Sequence, residues 1–158
     1  MAAGVEIERK FLLHRAPDAL QAHPSKALAQ GYVAVHEDGV EVRVRREDER
    51  HVLTIKSGPA MVRTEEEFEI DARRFASLWA LTEGRRLAKT RYLVPLGDLT
   101  AEVDVYHGEL DGLVTAELEF PSQAASQAFT PPPWLGREVT GDKAYANQAV
   151  ATAGAPPR

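Results

Sequence analysis

Residues 5–13 alternate. Val5, Ile7 and Phe11 fall on one side of an extended chain and Glu6, Glu8 and Lys10 on the other, as the period-two geometry of a strand requires. The pattern recurs. Residues 40–46 set Val40, Val42 and Val44 against Glu41, Arg43 and Arg45. Residues 51–57 set Leu53 and Ile55 against Thr54 and Lys56, with Val52 out of phase. Residues 62–71 put Glu65, Glu67 and Glu69 on one face and Phe68 and Ile70 on the other, and residues 86–95 carry Lys89 and Arg91. Residues 99–106 oppose Ala101, Val103 and Val105 to Glu102, Asp104 and Tyr106, and residues 113–120 oppose Val114, Ala116, Leu118 and Phe120 to Thr115, Glu117 and Glu119. A shorter strand, 30–36, leads into an Asp38-Gly39 hairpin turn.

Three helices interrupt the strands. Asp71 caps a helix over 72–82, with Phe75, Leu78, Trp79 and Leu81 as its packing stripe and Gly84 beyond its end. Ser122 caps a short helix to Phe129, and Asp142 caps a final one to Ala151. Residues 16–24 read as a loop with one helical turn, and 130–134 as an extended proline connector. The hairpin-like succession predicts an antiparallel meander: a mainly β protein with flanking helices.

Composition narrows the class. The chain of 158 residues, 44% hydrophobic and 27% charged, suits one domain with a real core, expected over 1–152 with 153–158 as a frayed tail. It has no cysteine, which excludes disulfides and thiolate metal sites. Its five histidines show no zinc-like spacing. The first residues lack the regions of a secretion signal and no apolar run approaches a membrane span, so a cytoplasmic monomer or homodimer without membrane association is expected. The net charge of −5 argues against a nucleic-acid surface. It leaves room for a small anionic ligand, because local clusters set a site's potential.

The charges segregate by strand. Glu6/Glu8, Glu102/Asp104 and Glu117/Glu119 are carboxylate pairs at i, i+2; Arg43/Arg45 and Lys89/Arg91 are cation pairs. A solvated sheet face would mix the signs within each strand. Two arrangements fit: an open sheet with one wet side, or a closed barrel with a charged interior. Segregated pairs suit a site that holds divalent cations on carboxylate oxygens and polyanionic oxygens on arginine forks. Glu41, Glu67 and Glu69 have a milder reading, as partners that orient the cations across the barrel.

With these motifs in view, the chain resembles the CYTH superfamily, the triphosphate tunnel metalloenzymes. Glu6-Ile7-Glu8-Arg9-Lys10 matches its amino-terminal Glu-x-Glu-x-Lys signature. Arg43-Val44-Arg45, Thr54-Ile55-Lys56, Glu67-Phe68-Glu69, Lys89-Thr90-Arg91, Asp104, Glu117-Leu118-Glu119 and 142–147 follow in the family's order. Gln30-Gly31-Tyr32, 82–86 and 131–134 are similar to the short stand-alone bacterial tripolyphosphatases. The resemblance implies a closed eight-stranded antiparallel barrel with Mg2+ or Mn2+ and a triphosphate inside. It implies Glu6, Glu8, Glu117 and Glu119 around metal, with Asp104 nearby. Lys10, Arg43, Arg45, Lys56, Lys89, Arg91 and Lys143 would bind phosphate oxygens. Lys143, in a helix's first turn, otherwise reads as a solvated surface residue.

The expected chemistry is metal-assisted hydrolysis of a phosphoanhydride, in which the protein positions and neutralises charge. Glu6 or Glu8 is the candidate for assisting water, and Lys56 for stabilising the leaving phosphate. A nucleotide or thiamine triphosphate would want an aromatic base pocket, for which Tyr32 and Tyr106 are the inward candidates, so inorganic triphosphate is favoured. A thiamine or nucleoside triphosphatase, a class IV adenylate cyclase and a non-catalytic polyphosphate- or nucleotide-binding module remain the alternatives.

Overall fold

The computed structural model describes residues 5–58 and 62–157. Eight strands, β1 (Val5–Leu12), β2 (Ser25–Val35), β3 (Glu41–Glu47), β4 (Arg50–Ser57), β5 (Val62–Glu69), β6 (Arg86–Leu96), β7 (Leu99–Tyr106) and β8 (Val114–Glu119), pair antiparallel in the order β5-β4-β3-β2-β6-β7-β8-β1. β1 then pairs with β5, so the sheet closes into a barrel. The amphipathic alternation thus resolves as a charged interior and an apolar exterior. The simple meander does not hold. β2 to β5 form one meander and β6 to β8 another; β2 lies against β6, and β1 closes the gap between β8 and β5. Alternation identifies amphipathic strands and is silent about neighbours that long connections bring together.

The closing seam is short. Among the described residues β1 meets β5 at Val5↔Thr64, Glu6↔Arg63 and Ile7↔Val62. Further along β1, the two-residue strand β9 (Arg137–Glu138), which alternation gave no sign of, takes that edge at Phe11 and Leu12. β2 begins at Ser25, earlier than the pattern indicates. Its Ser-Lys-Ala-Leu-Ala start has little strand preference and is fixed by β6 across Ser25↔Tyr92 to Gly31↔Arg86.

Outward apolar side chains of β1, β7 and β8, among them Ile7, Phe11, Val103, Ala116 and Leu118, form the main core with Phe120, Leu135, Phe129 and Trp134. Helix α2 (Gln123–Ala128) lies on this side; Ser122 caps it by accepting from the Ala125 N–H. On the other side lies α1 (Ala72–Trp79), capped by Asp71 as expected. A 3-10 turn, Ala80–Thr82, replaces its predicted last turn and leaves Leu81 57% exposed, so Leu81 is no part of the packing stripe. Phe75 stacks on Trp79 at 5.4 Å, and the Arg86 guanidinium lies 4.5 Å over the Trp79 ring. α1 is too short to cover β5: Phe68 is 52% exposed, and the apolar face read for that strand meets solvent.

The carboxy-terminal segment forms the second core. Asp142 caps only a 3-10 turn, Lys143–Tyr145, and α3 (Asn147–Ala153) follows. Val139, Tyr145 and Val150 pack against Leu12, Leu87 and Tyr106. Those three share the inward phase of Lys10, Lys89 and Asp104 on their strands, so this apolar cluster fills one end of the interior. Tyr106 donates to Asn147 Oδ1 at 2.6 Å, and Lys10 Nζ donates to the Tyr145 carbonyl at 2.7 Å.

Gly31 allows β2 to pass beneath the turn after α1. A Cβ there would come within 2.7 Å of the Thr82 Cβ, and Thr82 is fully buried. Gly31→Ala is expected to destabilise the fold by about 1–3 kcal/mol through overpacking, seen as a lower urea midpoint with an unchanged slope. A midpoint within error of wild type would show that the turn yields freely.

Candidate active site

The barrel encloses a cavity of about 740 Å³. Inward side chains give it two halves. β7, β8, β1 and β5 contribute Glu102, Glu117, Glu119, Glu6, Glu8, Glu65 and Glu67; β4, β3, β2 and β6 contribute Lys56, Arg43, Arg45, Lys26 and Arg91. Lys10 and Arg63 intrude into the acidic half, and Glu41 and Glu47 into the basic half. Closure of the sheet brings strand-by-strand charge pairs face to face across one space. Lys143, on its 3-10 turn, also lines the cavity while its side chain stays exposed.

Lys56 stands where the halves meet. Its Nζ lies 2.9 Å from Glu6 and 3.3 Å from Glu65. The Glu6 carboxyl is pushed up to about 7, first by burial and then by hydrogen bonding with Glu65, against the pull of Lys56. Glu8 is raised well above the usual carboxylate range, chiefly by burial and then by the charge of Glu117. Glu117 is held well below it: burial alone would raise it, but Lys10, Arg91 and Lys89 outweigh burial. Glu8 and Glu117 are hydrogen-bonded to each other, and their carboxyls are pushed in opposite directions. Glu119 is raised by burial and by Glu102.

On the basic half, Arg43 donates to Thr54 Oγ1 at 3.3 Å, and Glu67 lies 3.9 Å away. Among the described residues its buried Nε finds no acceptor. An unpaired guanidinium N–H inside a cavity is a donor available to an anion. Arg45 donates to Gln30 Oε1 at 3.2 Å and lies 3.5 Å from Glu47. Crowding by burial, Arg43 and Arg91 brings its pKa down to about 10, so it stays charged.

Three expected residues do not line the cavity. Asp104 is fully buried, receives both Nε (2.8 Å) and Nη2 (2.9 Å) of Arg91, and lies 2.7 Å from Lys89 Nζ. Lys89 is fully buried too. This triad backs the cavity and orients Arg91, which does reach it. Glu69 points to the end of the barrel, where it accepts from Arg50 at 2.6 Å. Glu41 accepts from Arg63 of β5 at 2.6 Å. Glu102 lies 3.4 Å from Arg91.

Sequence reasoning left out Glu65, although it shares the phase of Glu67 and sits closer to Glu6 and Lys56. It also left out Arg63, Lys26 and Glu47, whose role depends on which strands become neighbours. Tyr32 lines the cavity as read; Tyr106 faces inward but is sealed behind the apolar cluster. Among the described residues, Tyr32 and His36 are the only aromatic rings on the wall, and neither tryptophan reaches it.

The carboxylates suit a hard divalent cation in donor type. Two of them are crowded enough to share a proton, a place where a cation relieves repulsion. Among the described residues no three converge into a ready-made metal cluster. Taking up an ion there would require Glu6 to part from Lys56.

The fold and this interior define a class: closed antiparallel barrels that surround a polyanion with a basic wall and a carboxylate wall. The chain belongs to the CYTH-domain family, whose model matches residues 4–144. It is 48% identical to an inorganic triphosphatase of Nitrosomonas europaea over 92% of this chain and 96% of that protein. It is 38% identical to an inorganic triphosphatase of Acetivibrio thermocellus over 91% of each. A crystal structure of an inorganic triphosphatase superposes with a TM-score of 0.70 at 44% identity, covering 96% of this chain and all of that one. Among the described residues no helix is long and apolar enough to cross a membrane.

Proposed function

We propose that this chain hydrolyses inorganic triphosphate to pyrophosphate and phosphate with Mg2+ or Mn2+. The observation that carries the reading is the division of one cavity into a carboxylate half and a guanidinium-and-ammonium half. The predominance of charged side chains on its described wall, with Tyr32 and His36 as its only rings, supports a bare polyphosphate over a nucleotide or thiamine ester. Two relatives named inorganic triphosphatase, each matched over nearly its whole length, support it further.

Glu6, Glu8, Glu117 and Glu119 would hold the ion. Asp104 stands apart, because Arg91 and Lys89 already engage both its oxygens. A bound divalent cation neutralises phosphate oxygens and acidifies a water. Arg43, Arg45 and Arg91 receive the phosphoryl oxygens, where planar forks hold a tetrahedral anion in one orientation. Lys10 and Lys143 add charge near the apolar end. Lys56, between the halves, faces the charge that grows on the departing phosphate. Glu6 or Glu8, beside the ion, would assist the attacking water.

Metal binding must then depend on pH in a definite direction. Glu6, raised to about 7, is protonated below that pH and must lose its proton to serve as a ligand. Mg2+ affinity is expected to fall about tenfold or more per pH unit beneath pH 7, measured by calorimetry without substrate. Affinity flat from pH 5 to 8 would contradict the involvement of Glu6.

Phosphate release from tripolyphosphate, ATP, thiamine triphosphate and pyrophosphate, each with Mg2+, Mn2+ or EDTA, tests the function. Metal-dependent release from tripolyphosphate well above the other three is expected. Cyclic AMP and pyrophosphate from ATP, or silence on all four by folded protein, would overturn it.

A further inference from the structure

The inward row of β3 reads Glu41, Arg43, Arg45, Glu47, two arginines bracketed by carboxylates. Glu47 is the more telling end. It is 9% exposed, lines the cavity, and lies 3.3 Å from Arg50, 3.5 Å from Arg45 and 3.8 Å from Lys26. Three cations, from β4, β3 and β2, converge on one carboxylate. Burial would raise its pKa, but Arg45, Lys26 and Arg50 outweigh burial and hold it low, so the group is ionised. Three cations around one anionic oxygen group is the environment a phosphoryl group takes.

We propose that Glu47 sets the chain length of the substrate: its carboxylate fills the place among Arg45, Arg50 and Lys26 that a fourth phosphoryl group would take, so the cavity accepts triphosphate and rejects longer linear polyphosphates. The inference rests on the proposed reading of the cavity as a triphosphate site. Discrimination of this kind works against the wrong ligand more than for the right one. A longer chain meets a fixed negative charge and finds the local cations already neutralised.

The test compares linear tripolyphosphate and tetrapolyphosphate in wild type and Glu47→Gln, with Mg2+. The ratio of kcat/KM for tetrapolyphosphate to that for tripolyphosphate is expected to rise about tenfold in Glu47→Gln, the effect of one added charge-assisted hydrogen bond. The double variant Glu47→Gln/Arg50→Ala, which removes one of the freed cations, should give back part of that rise; a purely structural Glu47 would produce no such reversal. An unchanged ratio in folded Glu47→Gln overturns the inference. If Glu47→Gln does not fold, Glu47→Asp is read instead, with a smaller rise expected and no rise counting against the inference. If wild type hydrolyses neither chain, the hydrolase reading fails, and the same ratio is then taken from calorimetric dissociation constants. There too, a raised ratio in Glu47→Gln supports the role of Glu47 and an unchanged one overturns it.

Discussion

Asp104→Ala is expected to destabilise the protein by about 3–5 kcal/mol, because it strands buried cations without their counter-charge. Asp104, Lys89 and Arg91 form a closed triad behind the cavity wall, and the first two are fully buried. Burial would raise the Asp104 carboxyl, but Arg91 and then Lys89 bring it down to about 2. Burial drags Lys89 the other way, down to about 7, even with Asp104 beside it. The sign for stability follows. Asp104, depressed when folded, contributes above its ordinary pKa, and that contribution is lost as pH falls toward 2. Its removal should therefore show fully at pH 7 and shrink in acid. Urea unfolding at pH 7 and pH 3 measures both; a loss under about 1 kcal/mol at pH 7 would mean that water enters the triad.

Lys56→Ala is expected to lower kcat about 100-fold or more, the usual effect of removing one donor aimed at developing charge. Arg43→Ala should behave differently. Arg43 offers an unpaired N–H to the ground-state anion, so its removal should raise KM more than it lowers kcat. Substrate titrations of the two variants side by side separate these effects. Normal turnover with weakened affinity in Lys56→Ala would end its assignment to the leaving group.

Much of this was readable in advance because an inward-facing charge has an unusual cause. A strand such as Glu6-Ile7-Glu8-Arg9-Lys10 announces its two faces by alternation, and like charges at i, i+2 require a partner. The pattern named the strands and many of the charges on the cavity wall. It could not say that β1 would close on β5, so it missed Glu65 and Arg63, whose meaning comes from lying beside Glu6 and Glu41. Nor could it tell an inward residue that reaches the cavity from one sealed behind it. Lys89 and Arg91 have the same phase on β6, yet only Arg91 lines the space. Lys143 shows the opposite limit: its placement depends on the apolar packing of Tyr145 and Val150, which local spacing does not report.

The central claim is that metal and polyphosphate occupy opposite halves of one cavity. A crystal structure with Mn2+ and tripolyphosphate, with anomalous scattering recorded for manganese, tests it most directly. The account predicts manganese bound by Glu6, Glu8, Glu117 and Glu119, and phosphate oxygens on Arg43, Arg45 and Arg91. Manganese on the outer surface, or a polyphosphate bound outside the barrel, would contradict it.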